Sequence, residues 1–595
     1  MSQRKKSRSS SRRRARRQAP DSPSLEPGKN ARAPGLTLQS YEVGALPLVN
    51  HVLQRIQLEE LLQQHLPPDD PRCEFPTSRA ILVLVRNVLM SREPLYAVAE
   101  WTSRFVPDLL DLWPEQLSLL HDDRLGRSLT RLFVGAGPEL ILAVVRRVIA
   151  EFDVSLDELH NDSTTVSFYG AYAQAAEEGR RQGRVTHAIT WGHNKDHRPD
   201  LKQLLYILTV SHDGGVPVYF TSASGNVVDD ETHRGTWDLL CQLVGGPDFL
   251  YVADCKLASA ENLGHIARHG GRFVTIMPRT HGEDQQFRTR LRQSPAAIRW
   301  EPLYDLTDEV GDVVDRLSVC ADELLSSEGY CLLWYHSTRK VQQDQATRTR
   351  HIQRALAALG DLQARLLGPR TRFREQEKVQ RAVDEILAPQ DLASYLRVQI
   401  EEHEQATYRQ AQPGRPSKQT QYKKETRRQY QLKWELDAAS LAEAEREDGV
   451  FPLLTNDRQL SAEEVLRAYK RQPLIEKRFS QFKTDFAVAP VYLKDVGRIQ
   501  GLLVVYFFVL LVQTLLEREL RRAMAREDRE SLPLYPEGRA CTRPTTYRVL
   551  EIFETVQQHV LTLPDGEQHI LVTELTPLQR QILRLLGLSP SHYGI

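Results

Sequence analysis

The run GLLVVYFFVLLVQTLL, residues 501–516, constrains the fold more than any other stretch. It is apolar on nearly every face of a helix, so other segments of the protein or lipid must surround it. It is shorter than the roughly 20 residues that span a bilayer, and Gln513 interrupts it. Charged residues flank it closely at Arg498, Glu517 and Arg518. We therefore expect a core helix that is buried on nearly all sides, and no membrane partner.

Composition narrows the class of protein. The chain has 595 residues, of which 41% are hydrophobic and 26% are charged, with a net charge of +0. This is an ordinary globular mixture in a chain long enough for several domains. The six cysteines include no CxxC pair. That spacing argues against a zinc ribbon or a disulfide scaffold and fits a reducing compartment.

The first 35 residues differ from the rest. They hold eleven Lys or Arg against two acids, Asp21 and Glu26, and almost no apolar side chains. Such a segment cannot build a core, so we expect a basic disordered tail over residues 1–35. Its arginines favour contact with nucleic-acid phosphates over a purely solvated arm. No apolar stretch follows the charges, as a signal peptide would require.

Hydrophobic periodicity divides the remainder. Apolar residues three and four apart predict helices first, and strand and helix patterns then alternate, as in a mixed α/β sheet flanked by helices. Strands are expected at VTHAITWG, residues 185–192, and on both sides of the turn HDGG, residues 212–215. The expected segments are an N-terminal helical domain (36–150) that binds DNA, the first part of the α/β core (151–280), a large and mainly helical insertion (281–446), the second part of the core (447–525) and a C-terminal segment (526–595).

An aspartate stands in the middle of the strand-like stretch LHNDSTTVSFYG, residues 159–170. Asp162 is in phase with Thr164, Val166 and Phe168, and side chains alternate faces along a strand. It therefore shares a face with apolar neighbours. A carboxylate there is unfavourable unless it is paired, hydrogen-bonded or bound to a cation.

A second acid, Asp254, ends the short apolar run FLYVADC. The end of a buried strand is a common place for a functional group. A simpler interpretation is that Asp254 caps the helix that follows it, and the residues alone do not exclude this.

A third acid lies in AYKRQPLIEKRFSQFKTDF, residues 468–486. Helical offsets would place Tyr469, Glu476 and Lys483 on one face, near Phe479 and Phe482. This predicts that Glu476 faces the protein, although a helix so rich in charge can also present a solvated face. The proline at position 473 predicts a kink or a helix start there.

The order of these acids resembles that of the DDE transposases of bacterial insertion sequences, which have a ribonuclease-H-like core. One subgroup has a large insertion before the Glu and a Y-x2-R-x3-E-x6-K signature. Tyr469, Glu476 and Lys483 match its spacing, whereas Gln472 stands at the Arg position with Arg471 beside it. The stretches GHNKDHRPDLKQ, VADCKLAS and VYLKDVGRIQGLLVVYFFVLLV are similar to the same subgroup, and the resemblance covers roughly residues 156–522.

The resemblance implies a function and a set of site residues. Asp162, Asp254 and Glu476 would be the catalytic residues and the ligands of two Mg²⁺ or Mn²⁺ ions, which can stabilise the attacking and leaving oxygens of a phosphodiester. Tyr469, Lys483 and the neighbouring Arg471 would contact DNA. The expected activity is cleavage at the ends of an insertion sequence followed by strand transfer into target DNA. The implied partners are the terminal inverted repeats, target DNA and a second copy in a homodimer, in the bacterial cytoplasm at the nucleoid.

The insertion adds a further candidate for DNA contact. Its stretch PGRPSKQTQYKKETRRQYQLKW, residues 413–434, is basic with interleaved aromatic residues. Arg415, Lys423 and Lys424 are the expected DNA-binding residues there. The charged helical segment 339–366 fits either a coiled-coil arm for dimerisation or a helix that packs on its neighbours.

Weaker signals and rival functions stay open. His187, His193 and His197 lie close together, but no acid or cysteine spacing supports zinc. Asp229, Asp230 and Glu231 suit a turn before a helix and are rival carboxylates if Asp162 is wrong. The alternative functions are a nuclease that cuts without joining strands, and an inactive DNA-binding protein derived from a transposase.

Overall fold

The computed structural model describes residues 36–308, 311–368, 371–489 and 491–594, and the predicted basic tail lies outside these residues. We number helices and strands separately in chain order. The helices are α1 Leu46–Arg55, α2 Leu58–His65, α3 Thr77–Met90, α4 Val98–Thr102, α5 Asp122–Gly135, α6 Pro138–Phe152, α7 His233–Val244, α8 Ala260–Arg268, α9 Gly282–Gln293, α10 Thr338–Leu367, α11 Gln376–Leu387, α12 Ala438–Glu445, α13 Ala462–Lys470, α14 Pro473–Ser480, α15 Val496–Arg526, α16 Thr546–Phe553 and α17 Pro577–Leu585.

The strands combine into one large sheet and several small ones. They are β1 Thr37–Glu42, β2 Glu158–Phe168, β3 Gly179–Arg181, β4 Arg184–Thr186, β5 Lys202–Ser211, β6 Pro217–Ser224, β7 Leu250–Ala253, β8 Arg272–Ile276, β9 Trp300–Thr307, β10 Val313–Cys320, β11 Leu324–Leu325, β12 Cys331–Ser337, β13 Leu396–Gln410, β14 Tyr422–Leu436, β15 Val450–Thr455, β16 Gln557–Thr562 and β17 Gln568–Val572. The large sheet has ten strands in the order β6-β5-β2-β7-β8-β15-β12-β10-β9, with β11 beside β12.

The first half of this sheet carries the predicted strand order. β6, β5 and β2 pair antiparallel, and β2, β7 and β8 pair parallel, with α8 as the crossover from β7 to β8. The predicted hairpin forms because Gly214 and Gly215 adopt φ of +79° and +68°, which a tight β5–β6 turn requires. The mixed α/β architecture is as expected and is compatible with a ribonuclease-H-like fold.

The predicted core helix is confirmed. α15 runs through the protein with 94% of its most apolar window buried, and helices α3 and α5 of the N-terminal segment pack on it. At Gly501 the backbone of α5 comes so near that a Cβ atom would lie 2.2 Å from the Leu129 carbonyl oxygen. A glycine is therefore required at this helix crossing.

Two sequence expectations for the sheet are wrong in part. Residues 300–337 of the expected helical insertion form β9 to β12, which extend the main sheet. Leu317, Val319 and Tyr335 are buried on it, while the charged residues of edge strand β9 face outward and obscure the strand pattern. Of the expected strand 185–192, only Val185 and Thr186 lie in β4. The N–H of the next residue, His187, donates instead to Gln500 Oε1 of α15 (3.2 Å).

Residues 338–446 leave the sheet and build a core of their own. α10 and α11 pack against the base of a long ribbon in which β13 and β14 pair antiparallel over fifteen residues each. Four apolar residues of α10 are buried in this unit: Ala355, Leu359, Leu362 and Leu366. The helix therefore packs on its neighbours within the chain, and a coiled-coil arm for dimerisation stays a prediction.

The helix α14, which carries Glu476, is fixed by a buried ion pair. Arg478 donates to Glu517 of α15 (3.1 Å) and to the carbonyl oxygens of Gly214 (2.7 Å) and Gly215 (3.0 Å) in the β5–β6 turn. The side chains of Arg478 and Glu517 are 1% and 0% exposed. Burial acts to raise the pKa of Glu517, but Arg478 and Lys477 outweigh it and the pKa is lowered.

Removal of Glu517 should therefore destabilise the protein strongly. Glu517→Ala leaves Arg478 buried without its carboxylate, and we expect the free energy of unfolding to fall by about 3–5 kcal/mol. Glu527→Ala, which removes a half-exposed acid from just beyond the end of the same helix, should change it by less than about 1 kcal/mol. Urea unfolding followed by circular dichroism measures both, and equal losses in the two variants would contradict the role of the buried pair.

Candidate active site

Asp162 lies in the middle of β2, as predicted. Its side chain points to the face of β2 opposite that of Ser163. The same face carries Glu158 and His160, which are buried. The Asp162 side chain is 21% exposed, so it is reachable from solvent within a largely buried row. The strand thus holds one carboxylate at the boundary between its packed face and water.

Asp254 lies directly beside it. The parallel register pairs Asn161 of β2 with Ala253 of β7, so the next residue on each strand places Asp254 next to Asp162. Adjacent strands are about 4.8 Å apart. Asp254 also accepts a hydrogen bond from the Lys256 N–H (3.0 Å), so the predicted cap is present as well. Its carbonyl oxygen is fixed by Thr275 Oγ1 (2.7 Å).

The proximity of the two aspartates is visible in their electrostatics. Burial raises the pKa of Asp162 to about 6, and the negative charge of Asp254 adds to this rise, while Lys195 opposes it. A raised pKa means that the surroundings destabilise the ionised form of the carboxylate. The pair is therefore a site that a positive charge would stabilise.

Glu476 lies in the first turn of α14. The kink predicted at the proline is present: α13 ends at Lys470 and α14 begins at Pro473. Burial raises the pKa of Tyr469 well above its ordinary value, and the negative charges of Asp254, Glu476 and Asp162 add to this rise. The expectation that Glu476 faces the protein is wrong, since its side chain is exposed.

The α13–α14 junction is tied to β2 by two side chains. Gln472, at the Arg position of the signature, is buried and bonds to His160 Nδ1 (2.9 Å) and to the Asn161 carbonyl oxygen (3.2 Å). Arg471 binds both carboxylate oxygens of Glu158, at 2.7 and 2.9 Å. Two nitrogens of the predicted DNA contact Arg471 are therefore used within the protein, and both bonds set the position of α14 over Asp162.

Two residues that sequence reasoning missed lie in the same site. Lys195 donates to Asp162 Oδ1 (3.2 Å), to the Ser163 carbonyl oxygen (2.7 Å) and to Ser163 Oγ (2.8 Å). Asp196 accepts from Lys483 Nζ (2.5 Å), in the π-helical turn that follows α14. The stretch GHNKDHRPDLKQ contains both residues, but only the folded chain brings them to the carboxylates.

The remaining candidates lie elsewhere. Arg415 lies in the loop at the tip of the β13–β14 ribbon, with Lys423 and Lys424 at the start of β14, and all three are exposed. The rival acids Asp229–Glu231 form the turn before α7, as predicted. Within the described ranges, no group of three His, Cys, Asp or Glu side chains is close enough together to hold a metal ion as a set. Asp162 and Asp254 form the paired part of the predicted triad.

Neutralising Asp162 should stabilise the metal-free protein at alkaline pH. Its folded pKa of about 6 exceeds the ordinary 3.8, so the folded state binds the proton more tightly than the unfolded state. The free energy of unfolding should fall as pH rises from about 4 to about 6 and remain lower above that range. In EDTA, Asp162→Asn should be more stable than the wild type by about 1–3 kcal/mol near pH 8, with no gain near pH 4.

The matched control is Asp248→Asn, just before the other end of β7, where the side chain is 96% exposed. It should leave unfolding unchanged within about 0.5 kcal/mol at both pH values. Chemical denaturation measures each variant. A wild type that is more stable than Asp162→Asn near pH 8 would show that the aspartate is not strained by its surroundings.

Comparison with known proteins adds limited information. The N-terminal residues 38–145 match a family described as a domain of unknown function, DUF4277. No curated protein gives a significant match. Among solved structures, the chain is similar to the piggyBac transposase in its synaptic complex with hairpin DNA, with 10% identity and a TM-score of 0.23. The match covers 49% of this chain and 59% of that one, and likeness at this level supports no inference about fold or function.

Proposed function

We propose that this protein is a DDE-type transposase that cleaves DNA at element ends and joins them to target DNA. The observation that supports this most is the pair Asp162 and Asp254, which the parallel register of β2 and β7 brings next to each other. Adjacent carboxylates in a partly buried position repel each other, so a bound cation would stabilise the pair.

The donor set fits a hard divalent cation. Mg²⁺ and Mn²⁺ prefer oxygen ligands, and Mg²⁺ sites commonly use one or two carboxylates completed by water and substrate phosphate. A positive group already lies at Asp162, where the Lys195 ammonium has oxygen partners. Asp162 and Asp254 would hold the metal, with Glu476 as the third ligand of a two-ion site. Bound cations would stabilise charge on the attacking and leaving oxygens of the phosphodiester.

Other side chains would orient the DNA. Tyr469 would position a strand end through its hydroxyl. Lys483 would bind a phosphate as a point charge. Arg471 is held by Glu158 and would contribute through its position at the helix junction. The exposed basic tip of the β13–β14 ribbon would bind DNA outside the catalytic site.

We further propose that the protein acts as a homodimer on terminal repeats and target DNA at the bacterial nucleoid. Both ends of the element must be held together if they are to be joined to the same target DNA. Two copies of the protein, with one active site for each end, are the simplest arrangement. The distinction from a simple nuclease is strand joining, which only a transposase performs.

An excision assay tests the proposal directly. The gene's native flanking DNA is placed around a marker on one plasmid, and the protein is supplied from a second. We expect the wild type to excise and reinsert the marker, whereas Asp162→Ala, Asp254→Ala and Glu476→Gln should each lower excision by at least about 10³-fold, because each removes a predicted metal ligand.

The control is Asp248→Asn, which should excise at the wild-type level with equal protein in the cell. Movement of the marker by any of the three site variants would assign the chemistry to other acids. Cleavage without reinsertion would favour the nuclease. Binding to the flanking DNA without cleavage would favour the inactive DNA-binding protein.

The ribbon generates a separate prediction about DNA affinity. The triple variant Arg415→Ala, Lys423→Ala, Lys424→Ala should weaken binding to duplex DNA by roughly tenfold and reduce the slope of log affinity against log salt by about two to three, since three phosphate contacts are lost. Fluorescence anisotropy over a salt series measures both quantities.

A control triple removes the same charge elsewhere, at Arg72, Arg299 and Arg539, whose side chains are 91%, 78% and 65% exposed. It should change the slope little. Equal effects of the two triples would mean that net charge, rather than the ribbon, governs binding.

A further inference from the structure

The segment Asn194–Asp196 carries one positive and one negative side chain that pair with residues of the candidate site. The Lys195 ammonium donates to Asp162, the first carboxylate of the site. Asp196 accepts from Lys483, the last residue of the signature. Consecutive residues of one short segment thus neutralise the two groups that a metal ion and a DNA phosphate would contact.

We propose that Lys195 and Asp196 are two further residues of the active site, which hold the places of the divalent cation and of the DNA phosphate until both bind. This inference rests on the proposed metal-dependent function and adds residues to that same site. It makes Lys195 a competitor of the metal ion for Asp162, and Asp196 a competitor of DNA for Lys483.

The geometry at Lys195 resembles that of a bound cation. Its ammonium has three oxygen partners within 3.2 Å, one of them the Asp162 carboxylate. A lysine side chain can leave such a position by rotating its stem, without unfolding the strand.

The segment itself is firmly anchored, so the two side chains are presented together. Asn194 is 7% exposed, and its Oδ1 accepts from the N–H of Asp196 (2.8 Å) while its Nδ2 donates to Ser167 Oγ (3.0 Å). Ser167 lies on β2, on the same strand as Asp162. The backbone position is therefore independent of the two ion pairs, which can open while the segment stays in place.

Metal binding without DNA tests the role of Lys195. Titration calorimetry with Mn²⁺ on the full-length protein should give at least about fivefold tighter binding for Lys195→Gln than for the wild type, because the competing charge is gone. Lys195→Arg, which keeps the charge, should stay within about twofold of the wild type. Lys378→Gln removes an exposed lysine of α11, in the separate 338–446 unit, and should leave binding unchanged.

The outcomes separate this inference from the proposed function. If Asp162→Asn abolishes Mn²⁺ binding but Lys195→Gln binds no tighter than the wild type, the competition is refuted and the metal site stands. If neither the wild type nor Lys195→Gln binds Mn²⁺, the metal site and the inference both fail. Circular dichroism of each variant confirms that the comparison is between folded proteins.

DNA binding in metal-free buffer tests Asp196. Asp196→Asn should bind a short random-sequence duplex at least about threefold more tightly, because Lys483 becomes available to phosphate, and the added change Lys483→Gln should remove the gain. Asp200→Asn is the matched control, since it removes an acid that pairs with Arg198 in the same loop. An equal gain in Asp200→Asn would mean that general charge is responsible and would overturn the role of Asp196.

Discussion

The buried contact between Arg478 and Glu517 is the constraint on which the site depends. It joins three elements that are distant in the chain: the helix α14, the core helix α15 and the turn of the β5–β6 hairpin. Because a buried charge without its partner is strongly unfavourable, α14 has few alternative positions. The N-terminal helices pack on α15, and strand β2 shares one core with them. Arg478 and Glu517, which are not among the candidate site residues, thus fix the position of the helix that carries Glu476.

The two aspartates present the opposite situation, since their arrangement disfavours the isolated protein. Parallel pairing of β2 and β7 puts Asp162 and Asp254 side by side, and burial with mutual repulsion raises the pKa of Asp162 to about 6. The surrounding structure is stable enough to hold them there. Such stored strain is expected where a cation is to be bound, because binding then relieves repulsion in addition to forming bonds. Lys195 supplies part of that relief within the chain.

Much of this could be predicted from local sequence signals, and the rest depended on contacts between distant segments. The position of Asp162 could be predicted because side chains alternate faces along a strand. The kink at Pro473 could be predicted because a proline favours the start of a helix. The 501–516 helix was readable because it has no polar face. In contrast, β9 to β12 join the sheet because β12 pairs with β15, which is more than a hundred residues away in the chain. Their exposed charged residues resemble those of a surface helix in the sequence. The exposure of Glu476 likewise depends on the orientation of α14 in the fold. The spacing of residues along a helix does not predict that orientation.

Lys195 shows most clearly why a site can exceed its motif. In the sequence it is one cation in a polar stretch between strands, with nothing to distinguish it from Lys202 or Arg198. Its role arises because Asn194 is anchored to Ser167 on the same strand as Asp162, so the next residue along the chain must project toward that carboxylate. The same anchoring places Asp196 against Lys483. A charged segment that folds back along the strand of Asp162 can thus occupy both halves of a metal- and phosphate-binding site, and a protein built this way would bind metal ions more weakly while Lys195 holds the carboxylate.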